Sequence, residues 1–410
     1  MNTRFDLPLL LDGATGTNLM KAGLPSGVCT EKWILDNPRA IAELQRAYAS
    51  AGSGAVMAPT FETNRFKLSN FGFEDKVKEF NTKLVGLSRS AVGDGVLVAG
   101  DISPTGLFVE PFGETTFDEL TDIYREQAFA LRDAGVDYIA IETMMSLTES
   151  RAALLAAKET GLPVTVSVTV NPNGRTLSGG DVSACLVTLA AMGASAVGIN
   201  CSTGPQIVLT ALKAAAPYLN LPLIAKPNAG LPREDRPGEY DITPTEFADY
   251  LPAFLDLGVR LIGGCCGTTP GHIALLKEKL NTIRLENTTA GAALNEKEGL
   301  LAADERKVYR IKTEDLKNIQ EIECDEDFAL NIAEADDGPV RVCIRNDDCL
   351  DEFVQSSYLA TAPILLKSDD DGLLEGALKI YQGRALVDPE CGIARDRLET
   401  LSGRYGAAIL

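Results

Sequence analysis

Histidine is almost missing from this sequence: His272 stands alone among 410 residues. An HExxH zinc site or a multi-histidine metal centre needs more than one, and a Ser-His-Asp triad needs one where this chain has none. Basic residues are also short, with 38 Lys plus Arg against 58 Asp plus Glu. The formal charge of -20 repels phosphate backbones and anionic lipid, so neither nucleic acid nor a membrane surface is an expected partner. No apolar run approaches the roughly 20 residues that span a bilayer. The polar start MNTRFD lacks the charged and apolar regions of a signal peptide, which sets the expectation of a cytoplasmic protein. CxxC spacing, a GxGxxG after a first strand and a GxxxxGKS/T are absent as well, which weakens a thiol redox pair and a nucleotide-binding doubly wound sheet. No internal repeat of roughly 20 to 50 residues is present.

What is there is globular. Hydrophobic residues make up 45% and charged residues 23%, and the length leaves room for one large barrel or two domains. Eight short apolar runs alternate with segments of helical periodicity up to about residue 283. The strand candidates are Pro8–Leu11, Ala55–Pro59, Val96–Gly100, Tyr138–Ile141, Val164–Val170, Ala196–Asn200, Leu221–Ala225 and Val259–Gly263. Helices such as Arg39–Ala51, Phe117–Ala134 and Thr245–Leu257 fall between them. The rhythm predicts an α/β fold, a (β/α)8 TIM barrel over residues 1–285. An acidic linker is expected over 286–304 and a small α/β appendage over 305–410. Between Glu286 and Asp351 there are 18 acidic residues against 8 basic, half of the whole net charge.

In such a barrel the chemistry is built where the strands end at their C-terminal mouth. Those ends carry Asp12 with Gly13, Thr60, Asp101, Glu142, Asn171, Cys201, Asn228 and the vicinal pair Cys265 and Cys266. Nine cysteines in a reducing compartment are not read as a disulfide framework. A lone buried cysteine is commonly a small core residue, and Cys29, Cys185, Cys324, Cys343, Cys349 and Cys391 are read that way. Cys201, Cys265 and Cys266 converge from strands six and eight, each after a glycine-containing strand end. Three thiolates with one open position suit a catalytic zinc. A zinc so rich in sulfur is a weak hydrolytic Lewis acid but a good holder of a further thiolate, which points to thiol alkylation.

The strings LLDGATGTNL, GINCSTGP, AKPNAGLP and GGCCGTTPGHI, in this order, resemble the homocysteine S-methyltransferase family, closest to the homocysteine-binding domain of cobalamin-dependent methionine synthase. The resemblance implies zinc on Cys201, Cys265 and Cys266, homocysteine as substrate and methionine as product. It places the amino acid end of homocysteine at Asp12, Gly13, Thr60 and Glu142. Asn228 is a candidate for the open zinc position when substrate is absent. Asp101 and Asn171 have no assigned role, and His272, in a helix start, reads as structural. The tail stretch APILLKSDDDGLLEGALKIYQGRALVDPECG, with RYGAAIL, is similar to a segment of the folate-binding barrel of the same enzyme. Lys367, Ser368, Asp388 and Pro389 replace the usual pterin-contacting pairs, and about 100 residues fall short of the roughly 250 of a barrel, which weighs against folate. No cobalamin module is present, so the expected methyl donor is a methyl-corrinoid (methylcobalamin) on a separate protein. S-methylmethionine or a betaine is the alternative donor, and a non-catalytic zinc or homocysteine sensor the alternative outside enzymology. The oligomeric state is left open.

Overall fold

The computed structural model describes residues 7–236, 238–284, 299–317, 319–335 and 338–410. Eight parallel strands form its first sheet: β1 (Leu9–Leu10), β2 (Ala55–Met57), β3 (Leu97–Ile102), β4 (Tyr138–Met144), β5 (Val164–Val168), β6 (Ala196–Cys201), β7 (Leu223–Pro227) and β8 (Val259–Ile262). They pair in chain order from β2 to β8, and β8 pairs with β1, the cyclic order of a (β/α)8 barrel. Among the described residues β1 and β2 share no ladder. Their seam is closed by the Gly54 N–H donating to the Leu10 carbonyl (2.7 Å) and the Met57 N–H donating to Asp12 Oδ2 (2.9 Å).

The helices form where start and stop signals are strong. Phe117–Ala134 opens on a capping box between Thr116 and Glu119 and ends at Gly135, whose φ of 84° a side chain would resist. The expected helix Thr245–Leu257 is two pieces, Pro244–Asp249 and Leu251–Asp256. Pro252 has no N–H to continue the first ladder and instead sits in the first turn of a new one. None of the described helices is long and apolar enough to cross a membrane.

Strand residues alternate between the helix-facing layer and the barrel interior. Leu9, Leu11, Ala55, Met57, Ala99, Tyr138, Ala140, Ala196, Ile224 and Leu261 pack together inside. Further along the strands the same interior register turns polar, two residues on at Asp101 of β3, Glu142 of β4 and Lys226 of β7, and four residues on at Asn200 of β6.

Most of the segment expected as a linker, 286–298, lies outside the described residues, but Leu300–Ala303 form a strand, β9, paired antiparallel with β10 (Val308–Ile311). The apolar run Leu301, Ala302 and Ala303 is buried, which is why an acidic stretch ends in a strand there. A five-stranded parallel sheet follows in chain order: β11 (Gln320–Glu323), β12 (Val340–Cys343), β13 (Ile364–Lys367), β14 (Leu386–Val387) and β15 (Ala408–Ile409). Ala302 and Ile311 of the hairpin cover one face of it, against Leu365, Leu386 and Ala408. The tail packs on the barrel. Arg151, fully buried on the barrel helix Leu147–Lys158, donates to the carbonyls of Leu378 (2.7 Å) and Lys379 (3.0 Å) at the end of the tail helix Asp371–Ile380. A cavity of about 880 Å³ remains between the two, walled in part by Phe108, Met145, Leu177 and Tyr358.

Candidate functional site

The three cysteines meet at the C-terminal mouth. Cys201 ends β6, and Cys265 and Cys266 follow β8 after Gly263 and Gly264. Both glycines are required by close approach. A Cβ on Gly263 would lie 2.5 Å from the Asp12 carbonyl oxygen, and one on Gly264 would lie 2.4 Å from Thr268 Oγ1. The turn is then tied down by hydrogen bonds from Cys265 N–H to the Pro227 carbonyl (2.8 Å), from Ala229 N–H to the Cys266 carbonyl (2.9 Å) and from the Thr268 hydroxyl to the Cys265 carbonyl (2.7 Å). Cys201 itself is held in the left-handed region at φ 56°, with Ser202 at 61°. Non-glycine residues rarely adopt that region without local constraint, and functional sites are where such strain concentrates.

Cys201 Sγ lies 3.0 Å from Cys265 Sγ and 4.0 Å from Cys266 Sγ, and all three sulfurs fall within 4.8 Å of one another. A tetrahedral zinc with bonds of about 2.3 Å separates its sulfurs by about 3.8 Å, so the spacing fits this metal. All three residues are half-buried. Hydrogen bonds from Cys201 and Cys265 push the Cys266 thiol down to about 3, while Cys201 is pushed well up, chiefly by its hydrogen bond with Cys265. Cys265 is pushed up to about 11, so the metal-free cluster favours one thiolate, on Cys266, and ligation of a metal by all three would release the other two protons.

Below the sulfurs lies the polar tier. Glu142 and Lys226, both buried, form an ion pair across the barrel. Asp12 gives Oδ2 to the Met57 amide, and its Oδ1 is buried without a hydrogen-bond partner. Burial pushes the Asp12 carboxyl up to about 7 and Asp101 well above the usual carboxylate range. Gly13 sits in a packed turn, where a Cβ would lie 2.8 Å from the Tyr48 hydroxyl. Thr60 is fully buried; its hydroxyl donates to the Asp101 carbonyl (2.9 Å) and accepts from the Asp101 N–H (3.0 Å). Asn228 donates to the Ser202 carbonyl, and its Oδ1 is buried without a partner. Asn171 lies apart from this group, exposed, accepting the Asn173 and Arg175 amides in a turn. His272 Nδ1 accepts the Thr269 N–H (3.1 Å), and its ring meets Phe247 edge-on at 5.3 Å.

Three participants were not singled out from sequence. Lys226 was visible only as part of AKPNAGLP, yet it falls in the interior register of β7 two residues after Ile224. Asn200, inside GINC, is fully buried and accepts the Thr143 N–H (2.7 Å) and the Ser167 hydroxyl (2.8 Å), holding Thr143 at φ 62°. The Tyr240 hydroxyl hydrogen-bonds Cys266 from a loop with no motif of its own.

Residues 9–280 match the family described as homocysteine S-methyltransferase. Methionine synthase of Mycobacterium tuberculosis is 28% identical over 452 aligned positions, covering 97% of this chain and 37% of that protein. Methionine synthase of Mycobacterium leprae is 32% identical over 282 positions, covering 64% of this chain and 23% of its own length. The chain thus spans little more than a third, at most, of these relatives. The metallated form of the Escherichia coli homocysteine methyltransferase MmuM superposes with a TM-score of 0.57 at 28% identity, covering 66% of this chain and 96% of that one. The matched span runs from β1 through the last barrel helix and contains all three clustered cysteines, and the chain belongs to the homocysteine S-methyltransferase family.

Proposed function

We propose that this protein transfers a methyl group to the thiol of homocysteine, giving methionine, with zinc held by Cys201, Cys265 and Cys266. The observation that carries this reading is the cluster of three sulfurs, on half-buried residues and within 4.8 Å of one another, beside a tier of buried charged groups. Zinc bound there lowers the pKa of a thiol and gives its sulfur a fixed place. Asn228, whose Oδ1 lacks a partner, would fill the open ligand position before substrate arrives. The carboxyl tier around Glu142 and Asp12 takes the substrate ammonium, and the glycine turn at Gly13 faces its carboxylate. In the transfer the substrate sulfur, having lost its proton, forms a bond to the methyl carbon as the donor–methyl bond breaks. The electron pair of that bond leaves with the donor.

The donor proposed is a methyl-corrinoid presented by a separate protein. The tail is shared with the M. tuberculosis methionine synthase, whereas the MmuM match stops at the barrel, which favours this donor over S-methylmethionine or a betaine. Folate is not proposed as a ligand. In the tail, Asp388 is occupied by Arg341 (2.9 Å), and the Ser368 hydroxyl donates to the Ile344 carbonyl (2.7 Å). Free thiols at the centre suit the reducing cytoplasm. The test is methionine formation from homocysteine with each donor class in turn. Turnover with a methyl-corrinoid protein supports the full reading; turnover with a small-molecule donor instead replaces the donor assignment. Homocysteine binding with no turnover on any donor would make the chain a sensor.

A further inference from the structure

The barrel interior beneath the cysteines holds more buried carboxyls than cations to pair with them. Asp12, Asp101 and Glu142 are all buried there, and Lys226 is the cation that acts most strongly on each of the three. Glu142 has Lys226 as its partner, and Asp12 Oδ2 has the Met57 amide. Asp101 differs. Its backbone is tied on both sides to the Thr60 hydroxyl, which fixes the residue, but its carboxyl Oδ1 is buried with no hydrogen-bond partner although the residue is only 8% exposed.

The register of β3 aims that carboxyl inward. Ala99 lies in the interior cluster, and Asp101, two residues on, shares its face. Glu142 is the strongest charged neighbour of Asp101, so the two carboxyls stand close together. A buried carboxyl without a donor is costly unless something brings one. What would satisfy both is a compact cation with several N–H donors, and an ammonium has three.

Resting on the homocysteine reading, we infer that Asp101 is a substrate-recognition residue. Its carboxylate, beside Glu142, receives the ammonium of the acceptor and makes the site selective for α-amino thiols over thiols of the same length that lack the amino group. With the ammonium in place, Asp101 and Glu142 are balanced by that cation and Lys226. Burial raises Asp12 and Asp101 in the empty site, and the arriving ammonium favours the ionised form of the carboxyl it meets.

The test is calorimetric titration of the zinc-loaded full-length protein with homocysteine and with its desamino analogue, 4-mercaptobutanoate. The wild type should prefer homocysteine by about tenfold or more, the scale of one charge-assisted hydrogen bond. Asp101→Asn should remove most of that preference by weakening homocysteine alone, leaving the analogue's affinity in place. Equal affinity of the wild type for the two thiols, or an equal loss for both in Asp101→Asn, overturns the inference. If the wild type binds neither thiol, the homocysteine reading itself has failed and this one falls with it. Should Asp101→Asn not fold, judged by its melting curve, Asp101→Ser is titrated in its place and judged by the same two outcomes.

Discussion

Glu142 and Lys226 hold each other in a place where neither could stay charged alone. Glu142→Gln therefore has two effects. Leaving Lys226 buried without its counter-ion should cost roughly 3–5 kcal/mol of stability in urea unfolding. Homocysteine binding should weaken by about 1–3 kcal/mol in titration while zinc content stays at one equivalent. Cys265→Ser should do the reverse, lowering zinc content and abolishing methionine formation; retained zinc and activity would contradict the three-thiolate centre. Away from the site, Glu31 on helix Thr30–Asp36 is buried, and burial pushes its carboxyl up to about 7, although it accepts the Glu62 amide (3.1 Å). A carboxyl raised in the folded state binds its proton more tightly there than in the unfolded chain. Its contribution is thus full below the usual carboxylate range and is lost as pH climbs toward 7. Glu31→Gln should flatten that decline, gaining up to about 3 kcal/mol over the wild type at pH 8 and little at pH 5, read from denaturant midpoints. The cysteines were legible because GINC and GGCC are short, adjacent strings with a single chemical use. Lys226 was not, since its partner is on β4 and the pair exists only once the barrel has closed. Its even spacing from Ile224 was the available signal.

Among the elements, the weak point is the seam between β1 and β2. Two short strands meet there without a ladder, and a side chain, Asp12, takes the amide that a strand carbonyl would otherwise accept. Asp12→Ala should strand the Met57 N–H in the interior at a cost of about 1–3 kcal/mol and speed amide exchange at Met57 relative to β4 and β5. Unchanged exchange at Met57 would show that the seam does not depend on the carboxylate. Apolar runs located all eight barrel strands, because buried parallel strands are continuous apolar segments that alternate with helical ones. Their ends shifted by up to three residues: β3 runs on through Asp101 to Ile102, β4 through Glu142 to Met144, and β6 through Cys201, so three residues expected just past strands lie within them. β9 was hidden in an acidic context, and the break at Pro252 was overridden by the helical period on either side of it.

At the scale of the whole molecule, barrel and tail are one packed unit joined through specific buried groups. Arg151 is the clearest of these, with the Asp181 N–H to the Glu305 carbonyl (2.8 Å) beside it and an exposed ion pair from Lys379 to Asp118 (2.9 Å) at the rim. Arg151→Ala should leave two helix-end carbonyls unsatisfied and cost roughly 2–4 kcal/mol, seen as a lower unfolding midpoint of the entire chain. If only the tail unfolded earlier while the barrel midpoint stayed put, the two would be independent units. The boundary expected near residue 286 lies outside the described residues, and nothing in a linear sequence said which barrel helix the tail would cover. That depends on the complementary shapes of surfaces about 200 residues apart.

The central claim is that this family member binds zinc through three thiolates and presents the substrate sulfur beside them. Zinc-edge X-ray absorption on the purified full-length protein, with and without homocysteine, tests it most directly because no methyl donor is needed. The account predicts three sulfur neighbours near about 2.3 Å without homocysteine and four with it. A sulfur count that ignores homocysteine, or zinc that fails to bind a metal-replete protein, would contradict it.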